Sequence, residues 1–541
     1  MKKLPIGIQN FKEIVTENYL YIDKTQYIYS LINGAKYCFL SRPRRFGKSL
    51  FLDTIGEAFG GDKELFRGLW IYDSDYTFPK HPVIRLDMSG ISNRTPEALE
   101  ASIKLLLKNR INIESFNNSF NKEFFDFSNA NSSDVFRNLI IALYNKYNQK
   151  VVVLIDEYDK PILDHIDDIN TAEENRKILR SLYGILKSMD PYLRFVFITG
   201  VSKFTKTSIF SGLNNLKDIT MLEEYANICG IPVDDFDTLF GDYLEGLASN
   251  KKLKQHANIR DAIFAWYDGY SWDGESKLLN PFSLLNFFDQ KRFSGFWYSS
   301  GTPRFLLELI KKKPESYCNI THTEINEYML DSIEIENITI EPLLFQTGYL
   351  TIKEIPITLG SPVYILDIPN FEVREAFNLQ VLSALTETDD VRVWQARTEM
   401  MKALQENAPD KLLIMLRALF ASIPYELHVD REAYYHSIFY TIMSMLGFDM
   451  DVEVSTSRGR ADAVLELDNI IYVMEFKYVK CPPDAGAEEK RELSEAALSE
   501  AIAQINEKGY AAKYNGRGKS ICIAAFAFLG RDDIWGRYSK S

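Results

Sequence analysis

The sequence predicts an α/β protein of several domains, and three observations lead there. Its 541 residues exceed what one hydrophobic core can organise. Over the first 235 residues, short apolar runs alternate with segments of helical spacing, the pattern of a mostly parallel sheet covered on both faces. Near the C-terminus, an alternating run, a turn and a longer apolar run form a separate strand unit.

Composition narrows the class. With 46% hydrophobic and 25% charged residues, the chain has the balance of a soluble globular protein. No apolar run reaches the roughly 18 residues that cross a bilayer, and the opening "MKKLPIGIQNFKEI" has two lysines without an apolar stretch behind them. A cytoplasmic protein with no membrane partner is expected. Cys38, Cys229, Cys318, Cys481 and Cys522 are scattered without a C-x-x-C pair, which excludes a disulfide framework and a zinc ribbon. The six histidines are dispersed too, so any metal is expected on oxygen ligands. A net charge of -13 argues against a dedicated nucleic-acid coat without describing local patches.

The first strand is "AKYCFL" (35–40), followed by "RPRRFGKSL" (42–50) and a helix over "KSLFLDTIGEAF" (48–59). Strand, loop and helix in this order are what a phosphate-binding loop requires. The pattern G-x-x-x-x-G-K-[ST] is met by Gly47, Lys48 and Ser49, while Arg42 stands in the place of its first glycine. Further strands are "HPVIRLDMSG" (81–90), "VVVLIDEYD" (151–159), "LRFVFITG" (193–200) and "LKDITML" (216–222), with a helix from Thr95 that has Pro96 in its first turn. Asp156 and Glu157 follow five apolar residues and so emerge at the carboxyl end of a buried strand, where open α/β sheets bind ligands. An aspartate there holds Mg²⁺ beside the Ser49 hydroxyl, the adjacent glutamate polarises water, and Thr199 ends the neighbouring strand.

The segments "YIDKT" (21–25), "RPRRFGKSL", "VVVLIDEYDKP" (151–161), "FITGVSKFTKTSIFSGLNNLKDIT" (197–220) and "NPFSLLNFF" (280–288) resemble the bacterial AAA-ATPase-like family. The resemblance implies a P-loop NTPase sheet with flanking helices over residues 1–235, and it makes Arg42 a family trait rather than decay. It implies ATP as cofactor, with contacts from Arg44, Arg45, Phe46 and Gly47, from Lys48, Ser49 and Leu50, and from Asp156 and Thr199. Glu157 would be catalytic, and Ser49 with Asp156 would hold Mg²⁺. Arginines 42, 44 and 45 add charge beside the nucleotide or form a surface for a partner.

After Pro232 the alternation gives way to a polar, aromatic stretch with "AWYDGYSWDG" (265–274), a helix over 300–313 opened by Arg304, and a hairpin of "LLFQTGYLTI" (343–352) with "SPVYILDIPN" (361–370). By analogy with related ATPases, residues 236–385 are a helical lid and a winged-helix-like module.

The segment "TSRGRADAVLELDNIIYVMEFKYVK" (456–480) is a β-hairpin with Asp462 near the start of one strand and Glu475 and Lys477 two apart on the next, hence on one face. Charges inside an apolar strand need partners. Two carboxylates suit Mg²⁺, and a lysine beside them can activate water and neutralise phosphate charge. The arrangement resembles the PD-(D/E)xK nuclease superfamily, with Ala461 in place of its usual proline. The resemblance implies a restriction-endonuclease-like α/β domain over 386–541, with Asp462, Glu475 and Lys477 catalytic. Its metal ligands would be Asp462, Glu475 and, from the helix at 431–447, Glu432; Gln504 would stand near the site on the helix at 495–510, before a closing strand at 518–534.

The expectation is an ATP-binding, ATP-hydrolysing protein fused to a Mg²⁺-dependent nuclease that acts on DNA or RNA, as a homo-oligomer or as a monomeric switch. A non-catalytic switch or scaffold that binds nucleic acid or a protein partner stands beside it, favoured by the lack of a continuous basic stripe.

Overall fold

The structure, a computed structural model, describes all residues except 115–124, 126, 128, 204–208, 211, 248, 249, 251, 252, 254, 255, 257, 300–305, 307, 308, 310–319, 321, 331–338, 357–360, 387–389, 407, 424–431, 446–449, 457, 458, 468, 483, 517, 531, 532 and 541. Of residues 299, 328, 385, 390, 405, 432–434, 436, 437, 444, 445, 451–456, 459, 460 and 540 it describes the backbone alone. The chain divides into two compact units, residues 1–301 with 321–372, and residues 302–320 with 373–541.

The first unit is built on β1 (Tyr37–Ser41), β2 (Val83–Asp87), β3 (Val151–Asp156), β4 (Leu193–Gly200) and β5 (Lys217–Asp218). All neighbouring pairs are parallel, in the order β2-β3-β4-β1-β5. β3 is buried at all six positions, as its unbroken apolar run requires of a strand covered on both faces. The fifth strand exists but shrinks to two residues at the edge beside β1. Because β4 lies between β1 and β3, the loop after β1 and the acids after β3 flank the end of β4, where Thr199 stands.

Short helices α1 (Phe11–Thr16) and α2 (Thr25–Asn33) precede the sheet; α3 (Lys48–Ala58), α4 (Pro96–Ile113), α5 (Ser132–Tyr147) and α6 (Ile169–Ser188) connect its strands. The Thr95 hydroxyl caps α4 as the sequence indicates, accepting from Ala98 N. Beyond Pro232, helices α7 (Phe236–Glu245), α8 (Ile259–Tyr267) and α9 (Pro281–Gln290) enclose an aromatic core that includes Phe236, Phe240, Phe287 and Phe288. β6 (Ile231–Pro232) pairs antiparallel with β7 (Leu278–Leu279), and a three-stranded antiparallel sheet follows, with β9 (Thr351–Glu354) against β10 (Val363–Asp367), itself paired with β8 (Thr323–Asn326). The expected hairpin is therefore present, but "LLFQT" is not strand: it ends α10 (Ile340–Thr347), which Gly348 stops at φ 92°. An apolar run alone does not distinguish a buried helix from a strand, and the left-handed glycine decides it. The helix expected at 300–313, with Arg304, falls largely outside the described residues.

The second unit contains α11 (Asp390–Gln405), α12 (Pro409–Ala421), α13 (Glu432–Met445) and a sheet of β11 (Met450–Thr456), β12 (Gly459–Glu466), β13 (Ile470–Val479), β14 (Ser520–Leu529) and β15 (Asp533–Lys540). β12 and β13 form the expected antiparallel hairpin. β13 and β14 are parallel, joined across α14 (Ala487–Lys508), and β15 returns antiparallel to β14. The run at 518–534 thus holds one full strand and the start of another rather than a single closing strand, because the chain reverses at Gly530, which has φ 60°.

Candidate functional site

The loop after β1 is anchored by Arg42 N, which donates to Gly200 O at the end of β4 (3.2 Å). Gly47 has φ 96° and stands at the N-cap of α3, where a left-handed turn delivers the chain into the helix. The first amides of α3 therefore face the loop, the arrangement that binds phosphate. Lys48 is buried, and its Nζ donates to the carbonyls of Arg42 and Pro43, each at 2.9 Å. Burial pulls its ammonium below the ordinary lysine value, against the opposing attraction of Asp156 and Glu157.

Arg42 does not add charge to the site, contrary to one expectation from the sequence. It is fully buried, and its guanidinium donates to Ser41 O (2.9 Å), Thr220 O (2.8 Å) and Tyr225 O (3.2 Å) and lies 4.2 Å from the ring of Trp272. Where a glycine would leave the entry turn free, the arginine clamps it to the segment after β5. Phe46 is buried against Tyr270 and Trp272, edge to face at 4.9 and 5.2 Å, and its carbonyl accepts from Gly230 N (3.1 Å). Of the loop arginines, Arg44 and Arg45 line the cavity described below, and Arg45 lies over Phe282 at 5.0 Å.

The Ser49 hydroxyl stands near enough to Asp156 to oppose the rise of its carboxyl, and Asp156 Oδ1 accepts from Glu157 N (3.0 Å). Hydroxyl and carboxylate oxygens are the hard donors that Mg²⁺ prefers, so the residues present fit that ion. Burial raises the carboxyl of Asp156, with Ser49 and Lys48 opposing, and it raises that of Glu157, with Lys48 opposing most. Glu157 holds φ 50°, an uncommon left-handed conformation for a non-glycine residue at a strand end. Thr199 is fully buried between these elements, and its hydroxyl has no hydrogen-bond partner among the described residues.

Asp159 was not singled out from the sequence, yet it organises the turn. It is buried and accepts from Val201 N (3.0 Å), Ser202 N (2.6 Å) and Ser202 Oγ (2.6 Å), tying the end of β3 to the end of β4. The adjacent Gly200 allows this approach, since a Cβ there would stand 2.6 Å from Asp159 Oδ1.

A cavity of about 440 Å³ opens over the loop, in the size range of small-molecule sites. Residues 44–51 and Glu157 form one wall; Ile6, Ile8, Leu20, Ile22, Phe282 and Leu285 give it an apolar side. Lys24, Cys229 and Asn286 also line it. Lys24 Nζ donates to Asn227 O (2.7 Å), and burial lowers its pKa to about 8. Ile22 and Lys24 fall in "YIDKT" and Phe282, Leu285 and Asn286 in "NPFSLLNFF", segments the sequence reading used for resemblance without assigning them a place. Asp156 and Thr199 lie behind the wall rather than on it.

In the second unit, Glu475 is buried on β13, and Lys477 lies on the same face two residues on. Gln504 of α14 grips both: its Nε2 donates to Glu475 Oε1, and its Oε1 accepts from Lys477 Nζ (2.8 Å). Lys477 Nζ lies 3.9 Å from Glu475 Oε1 and 3.6 Å from Glu500 Oε1. Asp462 Oδ2 on β12 accepts from Phe476 N (2.8 Å), which sets its carboxylate beside the Glu475 strand position. Two adjacent carboxylates and an ammonium are compatible with Mg²⁺, although among the described residues no three His, Cys, Asp or Glu side chains converge. Glu432 begins α13, and its side chain lies outside the described residues.

Comparison with known proteins bears on both sites. Residues 5–210 match the family described as "Predicted AAA-ATPase", and residues 430–536 match the PD-(D/E)XK nuclease superfamily. The chain is 37% identical over 533 residues to a protein of Azotobacter chroococcum mcd 1 described as "Uncharacterized protein in vnfD 5'region", covering 97% of this chain and 96% of that one. No solved structure matches it. No helix among the described residues is long and apolar enough to cross a membrane.

Proposed function

The chain belongs to the AAA-ATPase-like family and carries a PD-(D/E)XK nuclease superfamily domain at its C-terminus, and from that premise we propose that it hydrolyses ATP and cleaves nucleic-acid phosphodiesters under nucleotide control. The observation that carries the reading is the convergence of Lys48, Ser49, Asp156 and Glu157 at one edge of a parallel sheet beside a cavity.

In the first site, the α3 amides after Gly47 receive the β- and γ-phosphates, and Lys48 exchanges its contacts with the Arg42 and Pro43 carbonyls for phosphate oxygens. Arg44 and Arg45 add positive charge at the cavity wall, with Phe46 and Leu50 shaping the loop around it. Glu157, its carboxyl raised by burial, accepts the proton of the attacking water, and Thr199 orients the γ-phosphate side of the site. Ser49 and Asp156 here, and Asp462, Glu475 and Glu432 in the second site, would hold Mg²⁺, which would supply Lewis-acid neutralisation of phosphate charge. In the second site, Lys477 orients and activates the water that attacks phosphorus, and Gln504 keeps its ammonium in register with Glu475. The functional division falls at residues 235 and 385, with the protein acting on DNA or RNA in the cytoplasm and as a homo-oligomer.

The tests are separate for the two chemistries. Lys48→Ala abolishes nucleotide binding, while Glu157→Gln keeps binding and stops turnover; unchanged ATP affinity in Lys48→Ala refutes the loop assignment. Plasmid nicking in Mg²⁺ is lost in Lys477→Ala and with EDTA; equal nicking by wild type and Lys477→Ala refutes the nuclease and leaves a binding module.

A further inference from the structure

The cavity over the loop has two chemically distinct ends. Residues 44–50 with Lys48 suit phosphate, whereas the apolar side suits the flat faces of a base. A single polar side chain interrupts the face that α9 turns toward the cavity: Phe282, Leu285 and Asn286 line it at helical spacing i, i+3, i+4. The helix is fixed in place by Asn280, whose side chain accepts from Ser283 N (3.2 Å), and by Pro281 at its first turn.

The orientation of the Asn286 amide is determined by its surroundings. Asn286 is 8% exposed, and its Nδ2 donates to Phe282 O one turn earlier (2.8 Å). A backbone carbonyl can only accept, so the amide nitrogen, not the oxygen, faces it. Oδ1 is left as an acceptor with no hydrogen-bond partner among the described residues, on a residue that lines the cavity.

On the reading that this cavity holds a nucleoside triphosphate, we infer that Asn286 Oδ1 selects the base, accepting a hydrogen bond from the exocyclic 6-amino group of an aminopurine and disfavouring a 6-oxopurine. A 6-keto oxygen placed at the same point sets acceptor against acceptor and leaves Oδ1 desolvated without a donor, which is how sites built for hydrogen bonding reject an analogue lacking the donor. The distinction is a property of α9 and independent of the loop that holds the phosphates.

ATP and ITP differ at the 6-position and in the N1 proton that the 6-oxo form carries, so their ratio is read against the Asn286 variants, which remove only the Asn286 amide. Their affinities are measured by calorimetry on the full chain, for wild type, Asn286→Leu, Asn286→Ala and Lys48→Ala. Wild type prefers ATP over ITP at least tenfold; Asn286→Leu and Asn286→Ala bring the ratio to within threefold by weakening ATP while keeping ITP, which also shows that the variants fold. An unchanged ratio in both Asn286 variants, or an equal loss of ATP and ITP, overturns the inference. A wild type that binds neither nucleotide, or a Lys48→Ala variant that binds ATP as wild type does, overturns the nucleotide reading itself.

Discussion

Glu372 is 1% exposed, and its Oε1 accepts from Trp297 N (2.7 Å). Burial pushes its carboxyl from the ordinary 4.5 up to about 7, with nearby Ser283 and the backbone of Trp297 and Phe296 only partly opposing. The matter concerns the site, because Trp297 Nε1 donates to Arg44 O in the phosphate loop (3.1 Å). A carboxyl raised in the fold binds its proton more tightly there than in the unfolded chain, so the stabilisation is complete below pH 4.5 and is lost as pH rises through about 7. At 1.36 kcal/mol per pH unit the loss is about 3 kcal/mol. Glu372→Gln keeps an acceptor for Trp297 N and cannot ionise. Relative to wild type it should therefore gain about 3 kcal/mol between pH 4.5 and pH 8. Urea unfolding of both proteins at the two pH values measures it, read as the change in the difference between their midpoints; with m of at least about 3 kcal/mol/M for a unit of this size, that change is up to about 1 M. Parallel pH dependence in the two proteins would refute the ionised, buried carboxylate as the source of strain.

The other consequences are local. Arg42→Leu removes charged hydrogen bonds to three buried carbonyls and should cost at least about 3 kcal/mol by urea midpoint; a loss under about 1 kcal/mol would return Arg42 to the surface role. Gly230→Ala, at φ 84° with its Cβ 2.7 Å from the Phe46 ring, should destabilise by about 1–3 kcal/mol and weaken nucleotide binding by displacing the loop, which a paired melting and calorimetry experiment reads. Gln504→Leu should lower plasmid nicking by roughly 10–100-fold, with secondary structure unchanged by circular dichroism.

What the sequence disclosed and what it hid divide along a physical line. Unbroken apolar runs, Gly47-Lys48-Ser49 and the acids after β3 were legible because each depends on its own neighbours: strand burial, a left-handed turn into a helix, a carboxylate at a strand end. The E-x-K spacing on β13 placed Glu475 and Lys477 on one face for the same reason. The partners that complete these groups come from distant segments. Asp159 reaches Ser202, Arg42 reaches Thr220 and Tyr225, and Asn286 lines the cavity from a helix more than 200 residues after the loop. No local periodicity encodes such meetings. At 343–370 the hairpin formed, but its first five residues, "LLFQT", failed in the opposite direction, since an apolar run fits helix and strand equally and only the left-handed Gly348 separates them.

Arg42 shows how the two kinds of information combine. Read locally, an arginine in the place of a glycine is either a defect or a cation for phosphate, because the pattern values flexibility at the entry turn. In the fold it takes a third course: its planar fork satisfies carbonyls from β1, from the segment after β5 and from the short turn at Tyr225, while its face covers Trp272. Trp272 in turn packs on Phe46, and Phe46 fills the space that Gly230 leaves open. The loop is thereby tied down at its entrance, and its left-handed residues are Arg45 at φ 64° and Gly47 at φ 96°, the latter beside the phosphate-binding amides. A lysine at 42 would retain the charge but not the fork, so Arg42→Lys should destabilise nearly as much as Arg42→Leu, and a fully stable Arg42→Lys protein would show that charge, not geometry, is what the position requires.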